Sequence, residues 1–497
     1  MQSRPFYSPT PASLKSEWWT PRLAWPLLAA TVLRLALLMI AVFRGGTRAL
    51  FDPDTVSYLE PGRNLLLHGR FIAGGVPDLF RTPGYPLFLA ITSLAGFPAA
   101  AVANVLLSVF STYLVWRIGR TVFNDNRIAL CAAWLFAFEP ISVTYSVLLI
   151  SDALFLAIFL LSMERMAVFL RERRLRVLVA SGLWLAAATY VRPVSYYLPA
   201  ALALGLLVVL ARVPAMRWKA PAMLLISVLP WLASWQIRNW VETGYKGFSS
   251  AAEVALYFFD VPYVTARAEH RSHASLYVEF DQVDFITLWE DSSGQLYLSQ
   301  PYLALYPEQA GWSQAQRIAF MHAEILRIIR AHFGVYLRTC LTSAFRIVFE
   351  LGAGNIDHLL YPGNSGHAAA LAADAGLPSW LALLAKASIW VVAEKAGFAI
   401  ALIGLYLFAA RGVIRGGMHN ACLWLLLGTS LYFIIVPAAA LPSGLSRYRL
   451  PVMPVICIFA AAGVVRAKPI IRTERNIPSK HKDESEYVQH EKSAMLP

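Results

Sequence analysis

The residues able to do chemistry are a small set of acids and arginines. Asp52 and Asp54 flank Pro53, and Arg81 opens the run Arg81-Thr-Pro-Gly-Tyr-Pro86. Glu139 and Asp152 bracket a connection without Lys or Arg. Arg192 precedes Pro193, Arg238 precedes Asn239, and Arg447 and Arg449 flank Tyr448. Arginine offers a forked, permanently charged donor that suits phosphate. A carboxylate held within hydrogen-bond reach of a hydroxyl can take its proton. Together they suit transfer of a sugar from a lipid phosphate to a hydroxyl. The arginines would hold the charge growing on the departing phosphate while the carboxylate removes the proton. If the hydroxyl attacks opposite the phosphate in one displacement, the sugar carbon inverts.

The elements that must position these groups are membrane spans. The chain has 497 residues, of which 58% are hydrophobic and 15% charged. A soluble domain carries about 45–50% apolar and about 25% charged residues, so the excess cannot be hidden in one water-soluble core. The composition predicts an all-α polytopic membrane protein and excludes a disordered, collagenous or disulfide-rich secreted chain. Apolar runs of roughly 20 residues fall at 24–43, 98–118, 128–148, 151–170, 177–192, 194–211, 221–241, 392–411, 419–438 and 449–466, which makes about ten transmembrane helices. The stretches 336–353 and 379–391 are apolar enough for interfacial helices or an extra pair of spans.

Arginine and lysine crowd the short connections 117–127, 171–176, 212–219 and 411–415 and the segment after Arg466. The positive-inside bias then places both termini in the cytoplasm of a cell-membrane (inner-membrane) protein and the acid and arginine layer on the extracytoplasmic side. The net charge of +13 needs no nucleic acid to explain it. The reading divides the chain into a cytoplasmic segment 1–23, a transmembrane module 24–241 containing the extracytoplasmic loop 44–97, an extracytoplasmic or half-embedded region 242–391, C-terminal spans 392–466 and a disordered tail 467–497. The four cysteines, Cys131, Cys340, Cys422 and Cys457, read as small core residues.

With these residues in place, a resemblance can be stated. The segment Phe51-Asp-Pro-Asp-Thr-Val-Ser-Tyr58, followed by Arg81-Thr-Pro-Gly-Tyr-Pro-Leu-Phe-Leu-Ala90, resembles the first extracytoplasmic loop of C-type (GT-C) membrane glycosyltransferases, among them the protein mannosyltransferase-like, lipid A aminoarabinose transferase-like and galacturonosyltransferase-like enzymes. Residues 185–193, 230–239 and 446–454 are similar to later parts of the same pattern, whereas 245–390 match nothing in it. The resemblance implies a GT-C-like fold, a polyprenyl-phosphate-linked sugar donor, and inverting transfer to a glycan, glycolipid, lipopolysaccharide, polysaccharide or protein acceptor. It puts Asp54 in the position of the catalytic aspartate, four residues before Tyr58, with the neighbouring Asp52 as an alternative base. Arg81 and Arg192 take positions that meet the donor phosphate, with Arg238, Arg447 and Arg449 as further candidates. Asp152 takes a position of sugar or acceptor contact, with Tyr58, Tyr85 and Glu139 as further candidates. The second acid that often follows the aspartate is replaced by Thr55. A divalent cation at the acid pair is left open.

Each residue also has a plainer role. Asp52, Asp54 and Asp152 suit turns and helix caps, the arginines suit lipid-headgroup contacts, and Arg34 in the first span suits snorkelling or pairing within its own helix. His270, His273 and His358 lack metal-ligand spacing. The competing functional readings are a transporter or flippase of a lipid-linked or anionic solute, and a non-catalytic scaffold. The absence of inverted halves and the one-sided charges favour chemistry at a membrane surface.

Overall fold

The computed structural model describes residues 19–270, 285–352, 356, 359–360, 389–416, 421–440 and 445–465. The tail 467–497, His273, His358 and most of 379–391 lie outside the described residues. The chain is built of helices: α1 Ala24–Gly45, α2 Val56–His68, α3 Gly84–Thr92, α4 Phe97–Phe123, α5 Asn126–Ala137, α6 Pro140–Tyr145, α7 Asp152–Glu172, α8 Leu175–Val191, α9 Leu198–Val209, α10 Pro214–Arg217 and α11 Lys219–Thr243. After them come α12 Ala251–Ala255, α13 Val261–Ala268, α14 Phe285–Asp291, α15 Gln300–Leu305, α16 Gln314–Ala331, α17 Phe333–Phe349, α18 Ile389–Gly416, α19 Ala421–Ala440 and α20 Met453–Val464. Among the described residues, strand is confined to a hairpin in the first loop, where β1 Ile72–Ala73 pairs antiparallel with β2 Val76–Pro77 in the register Ile72 to Pro77.

Among the described residues, six helical segments are long and apolar enough to cross a membrane: Pro21–Leu50, Phe97–Phe123, Asp152–Glu172, Pro214–Thr243, Lys395–Arg415 and Ala421–Ala440. The other expected spans are helical but shorter. The run 128–148 is broken, because Pro140 has no N–H to continue the ladder and Glu139 caps a new helix by accepting from the N–H groups of Ile141 (3.1 Å) and Ser142 (2.5 Å). The runs 177–192 and 194–211 become α8 and α9, separated by a turn at Pro193–Ser195, and 449–466 becomes a 3-10 turn at Ser446–Arg449 followed by α20.

One large apolar core runs between α4, α5, α7, α8 and α20. A second cluster lies in the segment after α11, where Tyr257, Tyr297, Tyr302, Ile318 and Met321 pack together with Leu79 and Phe80 of the first loop. That segment therefore holds the chain immediately before Arg81. The first loop folds back onto the bundle at two glycines. A Cβ on Gly62 would lie 2.2 Å from the Pro86 carbonyl oxygen, and one on Gly84 would lie 2.7 Å from that of Tyr190. Only hydrogen fits where α2 meets α3 and where α3 meets the end of α8.

Arg34 neither snorkels nor pairs mainly within its own helix. It is fully buried and donates from Nε to Ser108 Oγ (2.8 Å), from Nη1 to the carbonyls of Ala137 (2.9 Å) and Ala30 (3.3 Å), and from Nη2 to Ser142 Oγ (2.6 Å). It thus satisfies a C-terminal carbonyl of α5 at the break between α5 and α6. Replacing Arg34 by Met orphans these buried acceptors at a cost of about 1–3 kcal/mol each. Thermal unfolding in detergent should show a clearly lowered midpoint, and an unchanged midpoint would remove Arg34 from the clamp.

Candidate active site

The loop before α2 is tied down by its own polar groups. Asp52 N–H donates to Thr55 Oγ1 (2.9 Å), Asp54 N–H donates to Asp52 Oδ1 (3.1 Å), and Thr55 Oγ1 donates to the Leu149 carbonyl (3.0 Å). Leu149 N–H in turn donates to the Leu50 carbonyl (2.8 Å). The buried Thr55 therefore joins the aspartate loop to the chain leading into α7. This is a structural task for the position where the resemblance sets a second acid.

Asp54 is gripped from both sides. Its Oδ1 accepts from Arg81 Nη2 and its Oδ2 from Arg447 Nη1, both at 2.7 Å. Arg81 also donates from Nε to Ser57 Oγ (2.8 Å) and from Nη1 to the Tyr58 hydroxyl (3.1 Å), and its guanidinium lies over the Tyr58 ring at 4.2 Å. Arg447 reaches Asp152 Oδ2 from Nε (2.9 Å) and Nη2 (2.8 Å), and lies 3.8 Å from Asp52 Oδ1. Asp152, 1% exposed in the first turn of α7, pairs through Oδ1 with Arg192. Three aspartates and three arginines thus form one chain of ion pairs drawn from five places in the sequence.

The chain lines a cavity of about 730 Å³, within the range of roughly 300–1,000 Å³ typical of ligand sites. Asp52, Asp54, Tyr58, Arg81, Arg192 and Arg447 line it. Asp152 lies behind Arg447 and Arg192. Tyr85 is buried behind Tyr58, edge-on at 4.9 Å, with Asn104 Nδ2 3.4 Å from its hydroxyl. Arg238 binds backbone, donating to the carbonyls of Asp78 (3.2 Å) and Phe71 (2.6 Å), and pairs with Glu242 (2.7 Å). Arg449 donates to the Ile347 (2.9 Å) and Val348 (2.5 Å) carbonyls. With Glu139 it lines a separate cavity of about 320 Å³. The structure therefore gathers Asp52, Asp54, Tyr58, Arg81, Asp152, Arg192 and Arg447, and sets Tyr85, Glu139, Arg238 and Arg449 apart from them.

The two loop aspartates titrate in opposite directions. Burial raises the Asp52 carboxyl; Arg447 opposes this and the charge of Asp54 adds to it. Burial acts in the same sense on Asp54, but Arg81 and Arg447 outweigh it and hold that carboxyl well below the usual range. Because the Asp54 oxygens face guanidinium groups, the donor set does not fit a divalent cation as it stands. Among the described residues no three His, Cys, Asp or Glu side chains form a metal-holding group.

Sequence reasoning did not find Asp78. It is fully buried, and its Oδ1 accepts from the N–H groups of Phe80 (2.7 Å) and Arg81 (3.0 Å), while Oδ2 is buried without a hydrogen-bond partner. Gln295 Oε1 accepts from Leu79 N–H (3.3 Å), and Ser249 Oγ donates to the Phe80 carbonyl (2.7 Å). An aspartate can bond the backbone N–H two residues on and so start a turn, and Asp78, just after Pro77, could have been read that way.

Residues 81–235 match the family described as dolichyl-phosphate-mannose-protein mannosyltransferase. The chain is also similar to the apo oligosaccharyltransferase of Archaeoglobus fulgidus, at 12% identity, 91% coverage of this chain, 51% of that chain and a TM-score of 0.47. It is similar to ArnT of Cupriavidus metallidurans bound to undecaprenyl phosphate, at 14% identity, 89% coverage of this chain, 78% of that chain and a TM-score of 0.37. The chain spans about half the length of the archaeal protein. No curated protein matches it.

The buried Asp78 generates a prediction. Burial pushes its pKa up to about 6, with the N–H groups of Arg81 and Phe80 partly offsetting the effect. A carboxyl whose folded pKa lies above its unfolded value of about 3.9 favours folding below that value, and the contribution fades as pH rises through about 6. The wild type should lose roughly 2–3 kcal/mol between pH 4 and pH 8 from this group, and Asp78→Asn should lose correspondingly less. Thermal unfolding of both proteins across that range checks it; parallel pH curves would show that Asp78 does not titrate in the fold.

Proposed function

We propose that this protein is a glycosyltransferase that moves a sugar from a polyprenyl-phosphate-linked donor to an acceptor hydroxyl on the extracytoplasmic face, with inversion at the sugar carbon. The observation that carries the reading is the double grip of Arg81 and Arg447 on Asp54 at the wall of a large cavity. The matched family, whose name specifies a lipid-phosphate sugar donor, supports it, and the basic short connections support the sidedness.

In the proposed reaction the donor phosphate enters among Arg81, Arg192 and Arg447 and competes with the carboxylates for their donors. Asp54 gives up its guanidinium partners to the phosphate, and its basicity rises as it does so. The acceptor oxygen then attacks the sugar carbon, the bond from that carbon to the phosphate oxygen breaks, and its electrons leave with the polyprenyl phosphate. The acceptor proton passes to Asp54. Arginines placed where the phosphate gains charge lower the barrier most. Asp152 serves as the fixed counter-charge that orients Arg192 and Arg447. Asp52, 3.8 Å from Arg447, adds a further counter-charge to that guanidinium.

Purified protein incubated with a panel of polyprenyl-phosphate sugars should release free polyprenyl phosphate and form a product of inverted anomeric configuration, read by NMR. Asp54→Asn should lower kcat by about 10²–10⁴-fold, as removal of a general base does, with a smaller loss for Asp52→Asn. Arg447→Lys, which cannot bridge two carboxylates, should weaken use of the donor. Full transfer by the Asp54→Asn enzyme would refute the assignment of the base.

A further inference from the structure

The cavity has a second part that differs from the charged one. It is walled by the rings of Tyr197, Phe248, Phe259 and Trp289 and by the carboxyl of Glu253. Phe259 and Trp289 stand edge to face at 6.0 Å, and Trp289 packs against Phe80, beside Arg81, at 5.4 Å. Glu253 is steadied by the Tyr245 hydroxyl, which lies 3.3 Å from Oε1 and also donates to the Ser249 carbonyl at 3.0 Å. Its Oε2 is buried without a hydrogen-bond partner. An unsatisfied buried oxygen costs free energy, and in a binding cavity a partner supplied by the ligand removes that cost.

A pyranose ring suits this combination. Its C–H faces carry partial positive charge and lie against the negative faces of aromatic rings, while its hydroxyls at the rim can both donate to and accept from a carboxyl. Burial pushes the Glu253 carboxyl above its ordinary range, which widens that exchange. The arginines that line the cavity are Arg81, Arg192 and Arg447, each already paired with an aspartate, and among the described residues no lysine lines it. An anionic sugar would therefore meet the Glu253 carboxyl with the lining arginines committed to other carboxylates. An extended peptide would need a row of free backbone groups, whereas Glu253, Phe259 and Trp289 sit on helical segments whose backbone bonds are internal.

We propose that the chamber formed by Tyr197, Phe248, Phe259, Trp289 and Glu253 is a subsite for a neutral pyranose ring of a substrate, with Glu253 as its specificity-determining hydrogen-bonding group. The proposal rests on the glycosyl-transfer reading for its role in catalysis, but saccharide binding tests it independently. Saturation-transfer difference NMR on the full-length protein in detergent, without donor, should detect neutral methyl hexopyranosides, lactose or cellobiose. Glucuronic acid and a Ser-containing peptide should bind at least about tenfold more weakly. Glu253→Ala should reduce saccharide binding by at least about tenfold, as loss of a hydroxyl-reading group does, and Glu253→Gln should recover part of it. Trp289→Phe, which keeps a ring, guards against misfolding.

In turnover assays, a raised acceptor KM in Glu253→Ala assigns the ring to the acceptor, and a raised donor KM assigns it to the donor sugar; either supports the subsite. Unchanged constants with no saccharide binding by the wild type would overturn it, as would peptide binding in preference to sugars. Saccharide binding without any release of polyprenyl phosphate from the wild type would sink the catalytic reading alone and leave the subsite standing.

Discussion

The arrangement depends on Arg447 bridging two carboxylates. Its three nitrogens are divided between Asp54 and Asp152, and through them it joins the loop before α2 to the first turn of α7. Taking any one of these charges out of water alone would cost several kcal/mol, and removing one partner of a buried pair leaves the other uncompensated. The cluster avoids this by alternation. From Arg81 to Asp54, Arg447, Asp152 and Arg192, every charge has an opposite neighbour. The bundle can therefore carry three arginines and three aspartates beside a cavity without leaving one unpaired.

Such alternation works only if the contributing segments are fixed, and much of the surrounding structure serves that purpose. Thr55 pins the aspartate loop to Leu149, Asp78 sets the turn that presents Arg81, and Arg238 ties the carbonyls of Phe71 and Asp78 to the end of α11. The helices after α11 complete the support by enclosing Leu79 and Phe80 in their own apolar cluster. The region beyond the seventh expected span is thus a buttress for the first loop and a wall of the cavity, so changes in its packing act on Arg81 at one remove.

The sequence made legible what depends on composition and on local order. Apolar run length located the helices, and the family resemblance singled out Asp54, Tyr58 and Arg81, which the fold gathers. It did not make legible what depends on partners distant in the chain. Arg238 and Arg449 stand at helix ends in the same way as Arg192 and Arg447 do, and nothing local says that the first pair binds backbone carbonyls distant in the chain while the second binds Asp152. Glu139 looked like a site acid because it stands beside an uncharged turn, yet Pro140 after it makes it a cap. The segment 245–331 has no apolar run of spanning length, so Glu253 and Trp289 could be placed in the cavity only once that segment was seen to fold over the loop.

The charge balance also bears on the residue that replaces the expected second acid. Three carboxylates match three guanidinium groups, and a fourth carboxylate at position 55 would tip the cluster negative before any phosphate arrived. With Thr55 there instead, the chain of ion pairs is balanced before the proposed donor arrives, and the donor brings its charge where arginines can exchange a carboxylate for a phosphate at little electrostatic cost. In the proposed reaction, proton transfer to Asp54 would remove one negative charge as the departing phosphate gains one, so the total within the cluster would be the same on both sides of the barrier. A site of low polarity tolerates a reaction best when charge moves between neighbours and does not accumulate. In the proposed reaction, holding Asp54 between the two arginines that would receive the phosphate keeps that movement to a few ångströms.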